Sequence, residues 1–415
     1  MDAIVADVIG IIALVTLLSS LLSAAARRLG QPAVVGQILT GVVLGPTVLG
    51  RLPGHLTGRL FPAHVLPYVN VLGQIAVVVF MFGVGYEIEF GSIRRHGRAV
   101  PLIGIAAVAV PMALGACCVL VDRSGFTAIG GHPSDRSFLL FVSAAVSISA
   151  LPVLAAIVRD RGLAGTTAGV VATASAAFMD VLAWLVLAAA ILGSGPKPLL
   201  PLPATAAAIG GFVVVMLVAV RPALAWWTAR RSVLANPVVT ALVLATGSAW
   251  VTASLGLHPI FGAFLAGVTL RGNRPPVAEI VESMERAGNL LLPLFFIVTG
   301  LALNLGGVGG AGWGVLALVV AAAVLGKLVP AYVAARVGGL DRRDSATVAA
   351  LLNTRGLTEL IALNVGLSYG VITTRLYSLL VLMALITTLS TAPLLSVVRP
   401  VVARSTAKEP VPVAD

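Results

Sequence analysis

The chain has 415 residues, 59% of them hydrophobic and only 10% charged, where an ordinary soluble domain is about a quarter charged. That composition excludes a soluble globular domain: apolar segments of about 17 to 25 residues recur from end to end, each long enough to cross a hydrocarbon core about 30 Å thick as a helix. They lack the period-two alternation of barrel strands, so the fold class is an all-α polytopic membrane bundle.

In chain order the predicted spans are 4–26, 33–50, 66–86, 99–121, 137–158, 166–192, 204–220, 237–254, 259–270, 288–304, 312–335, 345–367 and 376–398, thirteen in all. The first follows only Met1 to Ala3, with no basic leader and no small-residue cleavage site, and is expected to be a permanent helix. Cys117 and Cys118, adjacent in the fourth span, read as small apolar filler. Between the ninth and tenth spans, Pro275 to Arg286 carries Glu279, Glu282 and Glu285 at helical spacing, which predicts a short amphipathic surface helix. No stretch between spans is long enough for a soluble domain. One transmembrane domain over 1–398 and a short polar tail over 399–415 are therefore expected.

The formal net charge of +11 follows the loops rather than a nucleic-acid face. Loops after odd-numbered spans hold 19 of the 27 Lys and Arg, among them Arg94, Arg95, Arg98, Arg342 and Arg343, and the opposite loops hold six. By the positive-inside rule the N-terminus is expected outside a cell membrane and the C-terminus in the cytoplasm. The two remaining cations, Lys327 and Arg355, fall inside predicted spans.

Thirteen spans allow two six-span halves joined by the seventh, the second half inverted relative to the first, as in secondary transporters. Each irregularity should then recur seven spans later. In the fifth span SISALP (147–152) places Pro152 inside a helix, and in the twelfth NTRG (353–356) interrupts an apolar run. Both read as broken helices, tolerated at membrane depth only against protein or a watery cavity. Asp180 and Lys327 sit in the spans adjoining these breaks. A charge at the bilayer centre costs about 2.5 to 3.5 kcal/mol on insertion scales, so both are expected to face a shared interior. A buried salt bridge that only fixes packing is the structural alternative.

Eight segments in register then resemble the monovalent cation:proton antiporter superfamily, in the branch of the Kef-type bacterial systems and the plant cation/proton exchangers. They are QPAVVGQILTGVVLGPTVLG (31–50), LGQIAVVVFMFGVGYEIEF (72–90), SISALPVLAAIVRDRGL (147–163), ASAAFMDVLAWLVLA (174–188), HPIFGAFLAGVTL (258–270), LLPLFFIVTGLALNL (291–305), LGKLVPAYVAARV (325–337) and LLNTRGLTELIALNVGLSYGVI (351–372). The resemblance implies a homodimer with a dimerisation side and a moving core side, exchanging a proton for Na+ or K+ by alternating access. It implies Asp180 as the shared proton and cation site, Ser147, Ser149 and Thr354 beside it, and Lys327 as the aspartate's partner when no cation is bound. Arg355 and Glu359, four residues apart, are expected to pair locally.

The chain departs from the family pattern at Met179, where members usually carry asparagine, aspartate or glutamine. A thioether is a soft ligand, poorly matched to Na+ or K+, so one oxygen is missing. That leaves open a proton-coupled exporter of an organic or ionophore-type substrate. A gated K+ efflux system of the Kef kind is disfavoured by the absence of a nucleotide-binding domain after Pro400, and an intramembrane enzyme by the absence of G-x-S-x-G or paired intramembrane acids. GVGGAG (307–312) fits a dinucleotide fingerprint but joins two apolar spans instead of following a strand. His55, His64, His96 and His132 lie in loops and His258 opens the ninth span, with no metal-ligand pattern. Asp7, Glu87 and Glu89 read as solvated span ends. No cofactor is expected, and the partners are a monovalent cation, a proton and the lipid bilayer.

Overall fold

A computed structural model describes residues 2–53, 56–87, 98–191, 202–229, 237–270 and 276–399. The tail beyond Arg399, with His55, His96 and Glu89, lies outside these, as do the side chains of Glu87, Glu279, Glu282 and Glu285. The first half comprises α1 (Asp2–Arg28), α2 (Ala33–Leu44), α3 (Leu66–Glu87), α4 (Ala99–Val121), the half-helices α5 (Arg136–Ser147) and α6 (Leu151–Asp160), and α7 (Thr167–Ile191). A connecting span follows, α8 (Leu202–Val215) running through a π turn at Met216–Val220 into α9 (Arg221–Ala229). The second half comprises α10 (Pro237–Ser254), α11 (Pro259–Leu270), α12 (Pro276–Ala302), α13 (Gly310–Val337), the half-helices α14 (Arg342–Leu352) and α15 (Leu357–Ser368), and α16 (Thr374–Val398).

Nine helical stretches among the described residues are long and apolar enough to cross a membrane, and three shorter apolar helices accompany them. The one predicted span outside these twelve, the twelfth, falls on α14 and α15, so the helix order is consistent with the expected thirteen. The second span has the expected extent, its α-helix ending at Leu44, where Gly45 is extended and Pro46 follows, and the chain continuing to a 3₁₀ turn at Leu49–Arg51. Two local expectations need correction. The acidic segment after residue 275 is not a separate surface helix but the first turns of α12, continuous to Ala302. The seventh span runs well past residue 220, since the π turn carries the helix on to Ala229.

Packing follows the seven-span offset. α1 packs on α2 as α10 packs on α11; α2 packs on α12 as α11 packs on α3; α4 packs on α5 as α13 packs on α14. The helices that correspond to each other, α3 with α12 and α4 with α13, pack together across the pseudo-twofold. Two groups result. One holds α1–α3 and α10–α12, where glycines allow backbone contact: a Cβ at Gly41 would meet the Phe296 carbonyl at 2.1 Å, and one at Gly85 the Phe264 carbonyl at 2.1 Å. The other, the crossing group, holds α4–α7 and α13–α16, with the two helix breaks at its centre.

Candidate functional site

The break in the fifth span is not at Pro152. Residues 148–150 are extended, and Pro152 stands in the first turn of α6, where its missing N–H would have had no intrahelical partner. In the twelfth span the helix ends at Leu352, and 354–356 are extended. The two breaks cross and satisfy one another. Ala150 N–H donates to the Thr354 carbonyl at 3.1 Å, the Ser149 hydroxyl to the Leu352 carbonyl at 2.8 Å, and the Thr358 hydroxyl to the Ser149 carbonyl at 3.4 Å.

Half-helix α5 ends in mid-bundle with carbonyls that have no intrahelical donor and carry the negative end of its dipole. Two cations cover it. Arg355 donates to the Ala145 carbonyl at 2.7 Å and to the Val146 carbonyl, and pairs with Glu359 at 2.9 Å. Lys327 donates to the Ser147 carbonyl and to the Ala107 carbonyl of α4 at 2.8 Å. All three side chains are at most 1% exposed. Their ordering at the end of α5 is the reason for two cations inside predicted spans.

Half-helix α6 presents its positive end. The Leu151 N–H faces the carboxylate of Asp180 on α7, while Asp180 Oδ2 accepts no hydrogen bond among the described residues. Asp180 is 1% exposed. Lys327 lies within electrostatic reach of it, but the expected direct pair is not formed: no ion pair joins them within 4.0 Å among the described residues. The physical reason is competition, because the Ser147 carbonyl of α5 and the Ala107 carbonyl of α4 hold two of the ammonium's three donors.

The remaining predicted residues divide. Ser147 spends its hydroxyl on the Ala144 carbonyl at 3.0 Å and Ser149 on Leu352, so each keeps only lone pairs for a ligand. Thr354 is fully buried, and its hydroxyl has no hydrogen-bond partner among the described residues. Met179, 1% exposed, belongs to the apolar cluster that holds Ala150, Leu151 and Leu352. The 307–312 glycines form the short 3₁₀ turn Leu305–Gly307 and the start of α13.

Sequence reasoning overlooked two sets of residues. Thr387, Thr388 and Ser390 of α16 support the second break: Thr388 donates to the Arg355 carbonyl at 2.9 Å, and the Asn353 amide donates to the Thr387 carbonyl at 3.2 Å and the Ser390 hydroxyl at 3.1 Å. The signal was the hydroxyl-rich run TTLSTAP (387–393) in the span seven after that of Asp180. The second set bridges the two helix groups at the end opposite the basic loops. Asn364 donates to the Thr299 hydroxyl at 2.9 Å, Tyr377 to the Thr299 carbonyl at 3.3 Å, and Tyr369 to the Gly256 carbonyl at 3.4 Å.

At the basic end the Gln31 amide donates to the Leu389 carbonyl of α16 at 3.4 Å, and beside that contact the groups part. A cavity of about 370 Å³ lies between them, lined by Gln37 of α2, Phe80 and Val84 of α3, Pro152 and Arg159 of α6, and Leu357 of α15. It reaches the first turn of α6, next to the residue whose amide faces Asp180. A second cavity of about 380 Å³, with Arg27, Gln31, Asp160 and Arg161 in its wall, adjoins the same end.

Compared with known proteins, residues 12–397 match the family described as "Sodium/hydrogen exchanger, transmembrane". Cation/H(+) antiporter 20 of Arabidopsis thaliana is 37% identical over 92% of this chain and 47% of its own length. Na(+)/H(+) antiporter NhaS4 of Synechocystis is 34% identical over 96% of this chain and 97% of its own. The chain spans about half the length of the plant relatives it matches. Among solved structures, the sodium proton antiporter MjNhaP1 of Methanocaldococcus jannaschii superposes with a TM-score of 0.67 at 14% identity, over 95% of this chain and 97% of that one. At that identity the likeness speaks for the fold.

Proposed function

This chain belongs to the sodium/hydrogen exchanger family, and on that premise we propose that it exchanges protons for a monovalent cation, Na+ or K+, by alternating access, with Asp180 as the shared site. The observation that carries the proposal is the Asp180 carboxylate itself. It is buried beside the crossing of two broken helices, held on one side by the start of α6, and has an oxygen free of hydrogen bonds among the described residues.

Exchange follows from charge. Protonated Asp180 is neutral, cation-bound Asp180 is neutral, and the bare carboxylate is costly to move through a low-dielectric interior. The same atom therefore carries one ion or the other. Lys327 and Arg355 hold the negative end of α5 and position the site without entering it. The buried hydroxyl of Thr354 and the lone pairs of Ser147 and Ser149 supply oxygens of the kind a hard monovalent cation takes.

With the basic loops in the cytoplasm, the cavity beside α6 opens inward, and the Asn364–Thr299–Tyr377 bonds close the outer side. Outward opening then requires the crossing group to slide against α1–α3 and α10–α12, breaking those bonds. The latter group is the proposed dimer contact. The names of the relatives support proton-coupled cation exchange.

The test is reconstitution of the purified chain into liposomes with an internal pH dye, adding Na+, K+ or Li+ in turn. A cation-dependent pH change lost in Asp180→Asn is the expected result. No response to any of the three would overturn the reading. A second reading, a proton-coupled exporter of an organic or ionophore-type substrate, is favoured by one observation: the residue before the aspartate is a buried methionine, whose thioether is a soft ligand poorly matched to Na+ or K+.

A further inference from the structure

The crossing group carries on its outer face a groove that takes no part in the proposed exchange. It is a cavity of about 310 Å³ between α13, α14 and α16. Ala346, Ala349 and Ala350 share one face of α14 and leave a channel between the larger Val329 and Tyr332 of α13 and Leu394 of α16. The surface beside it is apolar and open, with Val329, Val333 and Val337 exposed at 57%, 51% and 72%.

The stripes that form the channel end on arginine at the same end of the bundle. On α14, Arg342 and Arg343 stand four and three residues before Ala346, on the same helix face. On α13, Arg336 stands four residues after Tyr332. At the end of α16, Arg399 is taken up by Asp344 and by Thr347 at 3.2 Å, which ties α16 to α14 and neutralises Asp344. Asp341 is used as the cap of α14, accepting from the Asp344 N–H at 2.7 Å. Arg342 and Arg343 are exposed and in no ion pair among the described residues, and Arg336 gives one donor to the Leu340 carbonyl at 2.5 Å and keeps the others. Arg336, Arg342 and Arg343 outweigh the one remaining carboxylate, Asp341, so a net positive lip stands at the mouth of the apolar channel.

We propose that this groove binds one anionic phospholipid, its acyl chain along the alanines of α14 and its phosphate on Arg342, Arg343 and Arg336. The shape selects a lipid over a protein partner. At about 30 Å³ per water-sized group, the channel takes a run of about ten methylenes, whereas a partner helix is about 10 Å across and would ride on the lip. Guanidinium forks match phosphate oxygens in geometry and charge. The bound lipid lies against the half-helix that ends at the second break, so its occupancy braces the crossing group whatever ion is carried.

The test uses the full chain in detergent, given phosphatidylglycerol or phosphatidylcholine with identical acyl chains and followed by native mass spectrometry. The wild type is expected to retain one phosphatidylglycerol in preference to phosphatidylcholine. R342Q/R343Q is expected to lower that retention by roughly an order of magnitude, from the loss of two charges near the membrane surface, and R342K/R343K to keep most of it. Ala346→Leu, which fills the channel and leaves the arginines, is expected to reduce retention of both lipids; Ala346→Val is the milder substitute if the leucine variant does not fold. Millimolar glycerol 3-phosphate, which has the headgroup charge without the chain, should not displace the lipid. Equal retention of the two lipids, retention unchanged in R342Q/R343Q or in both Ala346 variants, or displacement by glycerol 3-phosphate would each overturn the proposal.

Discussion

The ammonium of Lys327 is hydrogen-bonded to the carbonyl of Ser147, the last residue of half-helix α5. The lysine therefore acts on Asp180 from across the break, as a fixed charge on the end of a helix dipole. Removing it leaves the Ser147 and Ala107 carbonyls without their donor. Lys327→Met is expected to destabilise the protein by about 2 kcal/mol, a typical cost of unsatisfied buried acceptors, while Lys327→Arg retains most of the stability. Thermal unfolding in detergent measures both. If the methionine variant unfolds like the wild type, the capping role is wrong.

The exchange site makes a competitive prediction. If proton and cation occupy the same carboxylate, the apparent KM for the cation rises as pH falls, by up to about tenfold per unit for a single shared proton, while the maximal rate at saturating cation changes less. Asp180→Asn is expected to reduce exchange to the level of empty liposomes. Dye-loaded proteoliposomes titrated with cation at a series of pH values measure the competition, and a KM independent of pH would place the proton elsewhere.

Much of this arrangement was legible in the sequence, and its gaps have physical causes. Two interruptions seven spans apart announced the crossing, because backbone at membrane depth needs a reason to leave the helix. The first lies within the expected stretch 147–152, but the part of Pro152 in it was misread. Proline has no N–H to donate and so suits the first turn of a helix as well as a kink, and only the chain's path decides between them. The hydrogen bonds of Lys327 were hidden for a related reason: sequence displays charges, but the carbonyl ends of half-helices, which compete for the same donors, carry no letter. Thr388 went unnoticed because a hydroxyl in a membrane helix ordinarily bonds to its own backbone. The single hydroxyl proton of Thr388 is shared between the Ala384 carbonyl at 2.7 Å, the ordinary helix partner, and the Arg355 carbonyl at 2.9 Å.

The Arg355–Glu359 pair is buried on both sides. Removing one member of such a pair typically costs 3 to 5 kcal/mol because the other is left uncompensated. Arg355→Ala is expected to be the more damaging, since the Ala145 and Val146 carbonyls also lose their donor. Glu359→Gln, which keeps an oxygen for Arg355, should cost about half as much as Glu359→Ala. A double-mutant cycle over Ala variants at both positions, read by unfolding, should give a coupling above about 1 kcal/mol; additive losses would mean that the two act separately.

The bonds at Thr299 tie the crossing group to α12 at the end opposite the basic loops. Asn364→Ala removes one neutral hydrogen bond, worth about 1 kcal/mol, and is expected to raise the outward-open population about fivefold by the usual tenfold per 1.4 kcal/mol. The readout is labelling of a cysteine placed at Val153, beside the cavity at the basic end, by a membrane-impermeant thiol reagent, with Cys117 and Cys118 replaced by serine. Labelling from the cytoplasmic face should fall in the Asn364 variant. Unchanged labelling would show that these bonds do not hold the outer side closed.

Met179 brings the two readings of the substrate to one measurement. Its side chain lies in the apolar cluster around Ala150 and Leu352, so an asparagine there pays for burial of an amide, about 1 to 3 kcal/mol if unmatched, unless a cation or a break carbonyl receives it. For a cation exchanger, Met179→Asn restores the family's oxygen beside Asp180. The KM for Na+ is then expected to drop, and added Na+ should return part of the lost thermal stability, because a ligand that binds only the folded state stabilises it by mass action. An exporter of organic cations would behave in the opposite sense. The methionine would supply apolar contact to the substrate, and the asparagine variant would lose stability and gain no response to Na+. Thermal shifts with and without Na+, paired with dye-monitored exchange in the same variant, separate these outcomes.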